Sequence, residues 1–398
     1  MLYVKRAMKF LSVFAVLASP VVTSAQHYTQ KNLLSDISQP NNADGSKVGI
    51  DPNLKNPWGL TRSSGSPWWV GNNNSGTSTL YDGNGNFVNL PDQPGGQTAN
   101  FITVPSASTT KPPVGTPTGA VFNGSTTDFL LVPGKTGTQA VFIFVTEDGT
   151  ISGWNPGVNV TPGAKISGNA VIVVDNSDNG GADGAVYKGA TTADIDGQRF
   201  LYVANFRNGK VEVYDTNFKP VHLGNHRDDD AFDDDDIPFG FAPFNVQNVG
   251  GSLFVTYAKQ DAAKHDPVGG DGLGFVDIYS PTGHLEGRLQ HGDWMNAPWG
   301  VVWTPRDFGE FSNTILVGNF RSGWIAAFNG FTHRFIGFVK NPDDSLVTID
   351  GLWALVFGNG ATAGPATTLY FTAGINGEAD GLFGTLTPVS SEQDGDEL

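Results

Sequence analysis

One unit of strand-forming residues recurs along this chain, and it limits the fold more than any other feature. A unit opens Asn56-Pro57-Trp58-Gly59-Leu60, continues Trp68-Trp69-Val70-Gly71-Asn72 and ends Ser78-Thr79-Leu80-Tyr81. The same order returns as Ala297-Pro298-Trp299-Gly300-Val301, Thr314-Ile315-Leu316-Val317-Gly318-Asn319 and Trp324-Ile325-Ala326-Ala327-Phe328. Looser copies start at Thr118-Gly119-Ala120, Tyr187-Lys188-Gly189-Ala190, Ala242-Pro243-Phe244-Asn245 and Gly351-Leu352-Trp353-Ala354. The six starts, near 57, 117, 187, 242, 298 and 351, lie 53 to 70 residues apart. Each unit holds three clear strands and room for a fourth. Strand-only repeats of this period predict blades that stack around a channel, because one blade cannot bury its own faces. The expected fold is an all-β, six-bladed β-propeller. Lys31-Asn32-Leu33-Leu34-Ser35 lies ahead of the first unit, and this N-terminal strand is expected to pair with the last blade and close the ring.

The ends read differently from the repeats. Lys5, Arg6 and Lys9 precede an apolar run from Phe10 to Ala18, and Thr23-Ser24-Ala25 supplies small residues. That order is a signal peptide over 1–25. It implies a secreted or periplasmic protein with a propeller over 26–388. Residues 389–398 read as an acidic flexible tail whose final Gly-Asp-Glu-Leu resembles a retention signal without its usual Lys or His. No later run has the length of a membrane helix, so no membrane insertion is expected. Cysteine is absent, and 39% hydrophobic residues must hold the fold without disulfides. A formal net charge of −16 repels phosphate backbones and argues against nucleic-acid partners. The expected working form is a monomer.

Blade geometry predicts where chemistry collects. The loop before each innermost strand and the loop after each second strand share one mouth of the channel. That mouth is expected to gather Asn72, Asn73, Asn205, Arg207, Lys259, Asp261, Asn319, Arg321, Asn376 and Glu378, with Asn56, Asp183, Asn296 and Asp350 from the preceding loops. The ligand-binding candidates are Asn72, Asn205, Arg207, Lys259, Asp261, Asn319, Arg321, Asp350 and Glu378. Asn205, Asn319 and Asp350 offer oxygen to a metal of the Ca²⁺ type. Asn after a strand also has a plainer use, because its side chain bonds nearby backbone in tight turns. Trp58, Trp299 and Trp353 read either as core wedges or as walls for a flat ligand such as a sugar.

Other signals are weaker. Seven carboxylates between Asp228 and Asp236 suit a solvated loop or Ca²⁺, but lack the EF-hand spacing. Asp82-Gly83-Asn84-Gly85 reads as a hairpin turn. Asn73, Asn123 and Asn159 match the glycosylation pattern. There is no His-Glu-x-x-His and no Gly-x-Ser-x-Gly, and thiol chemistry is excluded.

Several motifs together resemble an uncharacterised family of secreted six-bladed propellers, some of whose bacterial members carry a PEP-CTERM sorting tail. They are Asn56-Pro57-Trp58-Gly59, Ser152-Gly153-Trp154-Asn155, Ala242-Pro243-Phe244-Asn245-Val246-Gln247, Tyr257-Ala258-Lys259-Gln260-Asp261, Asn296-Ala297-Pro298-Trp299-Gly300, Val317-Gly318-Asn319-Phe320 and Ile349-Asp350-Gly351-Leu352-Trp353. This chain ends without such a tail. The resemblance implies a fold but no reaction. More distantly, the architecture is similar to NHL-repeat binding propellers and to gluconolactonase-like hydrolases that hold a channel metal. Two readings follow. The preferred one is a binding protein that meets an extracellular glycan, peptide, protein or small molecule at the channel mouth. The alternative is a metal-dependent hydrolase or lyase acting in the channel.

Overall fold

Six antiparallel sheets surround one axis in a computed structural model that describes residues 27–91, 98–107, 114–177, 184–224 and 231–389. The innermost strands are Pro57–Thr61, Pro117–Phe122, Tyr187–Ile195, Phe241–Val249, Pro298–Trp303 and Leu352–Phe357. Each contacts the innermost strand of the blades before and after it, and the sixth contacts the first. The chain is therefore a six-bladed β-propeller. The predicted signal peptide and almost all of the predicted acidic tail lie outside the described residues, as do Asp183 and Asp228 to Asp230. Among the described residues there is no α-helix, and no helix is long and apolar enough to cross a membrane.

The N-terminal strand closes the ring. Tyr28–Ser35 pairs antiparallel with Leu382–Pro388 and supplies the outer strand that blade 6 lacks. Tyr28 seals this edge. It is fully buried, stacks on Phe311 and donates its hydroxyl to the Phe308 carbonyl at 2.8 Å. Asp51 ties the same segment to blade 1, accepting from Tyr81 Oη at 2.9 Å and Asn100 Nδ2 at 2.7 Å.

Interblade packing follows the period-2 pattern of the strands. Apolar side chains of adjacent blades interleave, as where Trp69 of blade 1 stacks on Phe142 of blade 2 and contacts Trp154. One device recurs in every inner hairpin. The ladder shifts register just after Pro57, Pro117, Tyr187, Pro243, Pro298 and Leu352. Such bulges bend a strand and re-aim a side chain. The residues that follow are Trp58, Thr118, Lys188, Phe244, Trp299 and Trp353, one per blade. Contacts across non-adjacent blades show that the aromatic side chains and Lys188 reach the axis. Trp58 of blade 1 meets Trp299 of blade 5 at 6.2 Å and Phe244 of blade 4 at 6.3 Å between ring centres.

In blades 1, 2, 3 and 5 glycine follows this ring position, where the next blade comes too close for a side chain. A Cβ on Gly59 would collide with the Thr118 carbonyl oxygen, and one on Gly300 with the Trp353 carbonyl oxygen. The Pro-Trp-Gly motif thus encodes a bulge, an axial side chain and a close strand approach in three consecutive residues.

Candidate functional site

The axial ring has two unlike sides. Trp353 stacks on Trp58 at 3.4 Å and on Phe320 at 3.9 Å, and Phe244 and Trp299 complete an aromatic plug. Lys188 interrupts that plug. It stands where blades 1, 5 and 6 place Trp, and its side chain is 0% exposed. Its ammonium lies 4.9 Å from the Trp58 ring centre and 5.8 Å from that of Phe206.

A buried ammonium must be paired. Lys188 Nζ donates to Glu147 Oε1 through a short bond and reaches Asp266 Oδ1 at 3.5 Å. Asn73 Nδ2 holds the other Glu147 oxygen at 2.7 Å. Glu147 itself breaks the repeat. It follows the second strand of blade 2, in the slot that Asn73, Phe206 and Phe320 fill in blades 1, 3 and 5. Asp266 pairs with His265 Nδ1 at 3.0 Å. This contact raises the imidazole pKa and holds the Asp266 carboxyl at about 2. Ligand atoms of Glu147, His265 and Asp266 lie within 4.8 Å of one another.

Two further groups face the cluster. Burial and the Glu147 charge raise the Glu378 pKa, against the pull of Asn56, Lys188 and Arg321. Asn56 joins the mouth to the plug, donating to Glu378 Oε2 at 3.2 Å and accepting from Trp353 Nε1 at 3.0 Å.

The residues expected at this mouth divide by use. Asp261 and Arg321 brace the blade 4 loop that carries His265 and Asp266. Asp261 Oδ1 accepts the His265 N–H at 2.8 Å, and Arg321 Nη2 donates to the Pro267 carbonyl at 3.0 Å. Glu378 borders the charged cluster. Lys259 turns to the Phe239 carbonyl at 3.3 Å and lies over the Phe241 ring. Arg207 donates to the Gly184 carbonyl at 2.9 Å, and its buried Nε has no partner among the described residues. Asn72 donates to Thr77 and Thr79 inside blade 1. Asn205 accepts from Val186 N and Asn208 N, and Asn319 accepts from Asn296 N at 2.8 Å. Those bonds tie each turn to the segment before its inner strand. Asp350 is exposed and accepts from Asn376 N at 2.8 Å. No contact among the described residues joins Asn205, Asn319 and Asp350.

Glu147, Lys188, His265 and Asp266 were not among the expected site residues. Lys188 could have been found as the one cation in the Trp slot of the repeat. Glu147 had a similar signal, while His265 and Asp266 had none because their loop has no counterpart in other blades.

No protein-family model matches this sequence. The chain is 29% identical over 344 residues to uncharacterized protein R648 of Acanthamoeba polyphaga mimivirus, covering 84% of this chain and 76% of that protein. It is 31% identical over 271 residues to uncharacterized protein R640 of the same virus, covering 68% of this chain and 47% of that protein. Among solved structures, a Bacteroides thetaiotaomicron protein of unknown function aligns with TM-score 0.48 at 8% identity, over 90% of this chain and 76% of that one. A PQQ-bound aldose sugar dehydrogenase from Streptomyces coelicolor aligns with TM-score 0.47 at 12% identity, over 92% and 99%. These identities are too low to carry residues across.

Proposed function

We propose that this chain is a secreted, monomeric binding propeller that takes a small polar molecule at the channel mouth where the inner strands begin. Lys188 carries the reading. Blades 1, 5 and 6 show that Trp packs in this ring position, yet blade 3 buries a cation there. Replacing a buried ion pair by apolar residues is often neutral or stabilising, so packing alone gives no reason to keep it. The ligand would lie over Glu147, His265, Asp266 and Glu378, which offer acceptors and an acid, with Arg321 beside them.

The test is thermal melting of wild-type and Lys188→Met protein against small carboxylates, amines and free sugars. A compound that raises the wild-type melting temperature and leaves the variant unmoved supports the reading. Equal shifts in both place the binding elsewhere.

The grouping of Glu147, His265 and Asp266 favours a second reading, a metal-dependent hydrolase or lyase of the channel. Two carboxylates and an imidazole suit a transition metal better than Ca²⁺, and the nearby ammonium of Lys188 opposes any dication. A Ca²⁺ site would instead draw on Asn205, Asn319 and Asp350, whose side chains are engaged in separate turns. Metal analysis with melting before and after chelation tests both sets. A stoichiometric metal whose loss lowers the melting temperature supports the enzyme, and no metal and no shift removes it.

A further inference from the structure

The plug divides the channel, and the far end holds a separate cavity of about 330 Å³. Its walls come from the inner strands of all six blades, and Trp299 of the plug is among the lining residues. Blades 3 and 4 contribute Thr191, Thr192, Asn245, Gln247 and Asn248. Blades 2 and 6 contribute apolar side chains, of which Ala120, Phe122 and Val356 are partly exposed.

Arg62 is the one charged side chain among the described residues that line this cavity. It donates to the Phe357 carbonyl at 2.8 Å and the Gly358 carbonyl at 3.0 Å, and it lies over the Trp68 ring. Those neutral carbonyls position the guanidinium without neutralising it, and no carboxylate lines the cavity among the described residues, so a cationic ligand would carry the cost of desolvation with nothing to pair it. The amides and hydroxyls are differently placed. Asn245 donates to the Trp299 carbonyl, and Asn248 donates to the Thr192 carbonyl. The Gln247 amide and the Thr192 hydroxyl have no side-chain hydrogen bond among the described residues and remain available.

We propose that this far-end cavity binds a neutral sugar of one or two pyranose rings. The volume equals that of about ten liquid waters, which suits a ligand of this size. One wall offers donors and acceptors for ring hydroxyls, and the other offers apolar surface for the carbon face. The site is independent of the charged mouth, so each can fail alone.

Saturation-transfer NMR with glucose, galactose, mannose, N-acetylglucosamine and cellobiose at millimolar concentration tests it, with glucosamine, an ammonium at neutral pH, as the charged control. At least one neutral sugar should bind, and glucosamine should not. Gln247→Ala should weaken that binding about tenfold, the loss of one or two hydrogen bonds. Thr192→Trp, which fills the cavity from a partly exposed position, should abolish it while the melting curve stays cooperative. Lys188→Met should leave it unchanged. Failure of all five sugars to bind, equal binding of glucosamine, or binding that survives in both cavity variants would overturn the proposal.

Discussion

Lys188 of blade 3 and Trp58 of blade 1 occupy the same position of their repeats, and they meet across the channel axis with the ammonium 4.9 Å from the indole ring centre. The bulge that aims a Trp inward in one blade aims a cation inward in another. The aromatic face gives that cation a favourable contact, and Glu147 neutralises it.

The pair is therefore expected to behave asymmetrically under mutation. Lys188→Met leaves the nearly buried Glu147 carboxylate without its cation and should destabilise by about 3 kcal/mol. Lys188→Met combined with Glu147→Leu should recover most of that loss. Denaturant unfolding of the two variants and of Glu147→Leu alone measures the coupling. Simple addition of the single effects would show that the pair is not a unit.

Ring closure should depend on Tyr28. Tyr28→Phe keeps the packing but leaves the Phe308 carbonyl and the Phe311 N–H without their partner, costing about 1–2 kcal/mol. Tyr28→Ala also removes a fully buried ring and should cost about 3–5 kcal/mol. Thermal melting gives the order, and limited proteolysis should cut the Ala variant first within the N-terminal strand. Equal stability of all three proteins would contradict this account of the seam.

Gly59 should not accept a methyl group. Its φ is not in the left-handed region, so backbone conformation is no obstacle. The Thr118 carbonyl oxygen and Ala120 backbone of the next blade are. Gly59→Ala should cost about 2–3 kcal/mol through overpacking. Gly65→Ala, which has nothing within 4 Å, should change stability little. Chemical unfolding of both variants checks the contrast.

Blade 4 should carry a distinct pH dependence. Asp277 has a fully buried side chain, and burial pushes its carboxyl up to about 6, although Arg288 bonds it at 2.6 Å. The folded state then holds this proton more tightly than the unfolded chain. The contribution of Asp277 to stability falls as pH rises from about 3.8 to about 6 and is flat above. Asp266 works in the opposite sense. Its contribution is present above its ordinary value of 3.8 and is lost as pH falls through about 2. Melting wild type and Asp277→Asn across this range should give a difference that changes between pH 4 and 6. A constant difference would remove Asp277 as the source.

The repeat made the architecture legible. Each innermost strand starts within a residue of a repeat start, because Pro-Trp-Gly, the apolar runs and the Asn-ended strands are local patterns that strand geometry imposes. The closing strand was legible too, since an unpaired strand-like segment ahead of the first unit has one open edge to meet. Site chemistry was legible only as a region. Asp261, Arg321 and Glu378 follow second strands, as expected from the repeat, but what each side chain does depends on partners far along the chain, such as Pro267 for Arg321 and Asn56 for Glu378.

What the sequence determined by itself is the number of blades, where each innermost strand starts and which segment closes the ring. It did not determine every strand, since the second strand of blade 2 is Phe142–Thr146 and not the apolar run Phe129–Val132. Tertiary structure alone decided that Glu147, Lys188, His265 and Asp266 converge. They come from three blades, and their meeting depends on how far the blade 3 bulge turns Lys188 toward the axis, where the second strand of blade 2 ends, and how one loop of blade 4 folds over the mouth. Local periodicity encodes which residues point inward, but distances across a closed ring are set only when all six blades have packed.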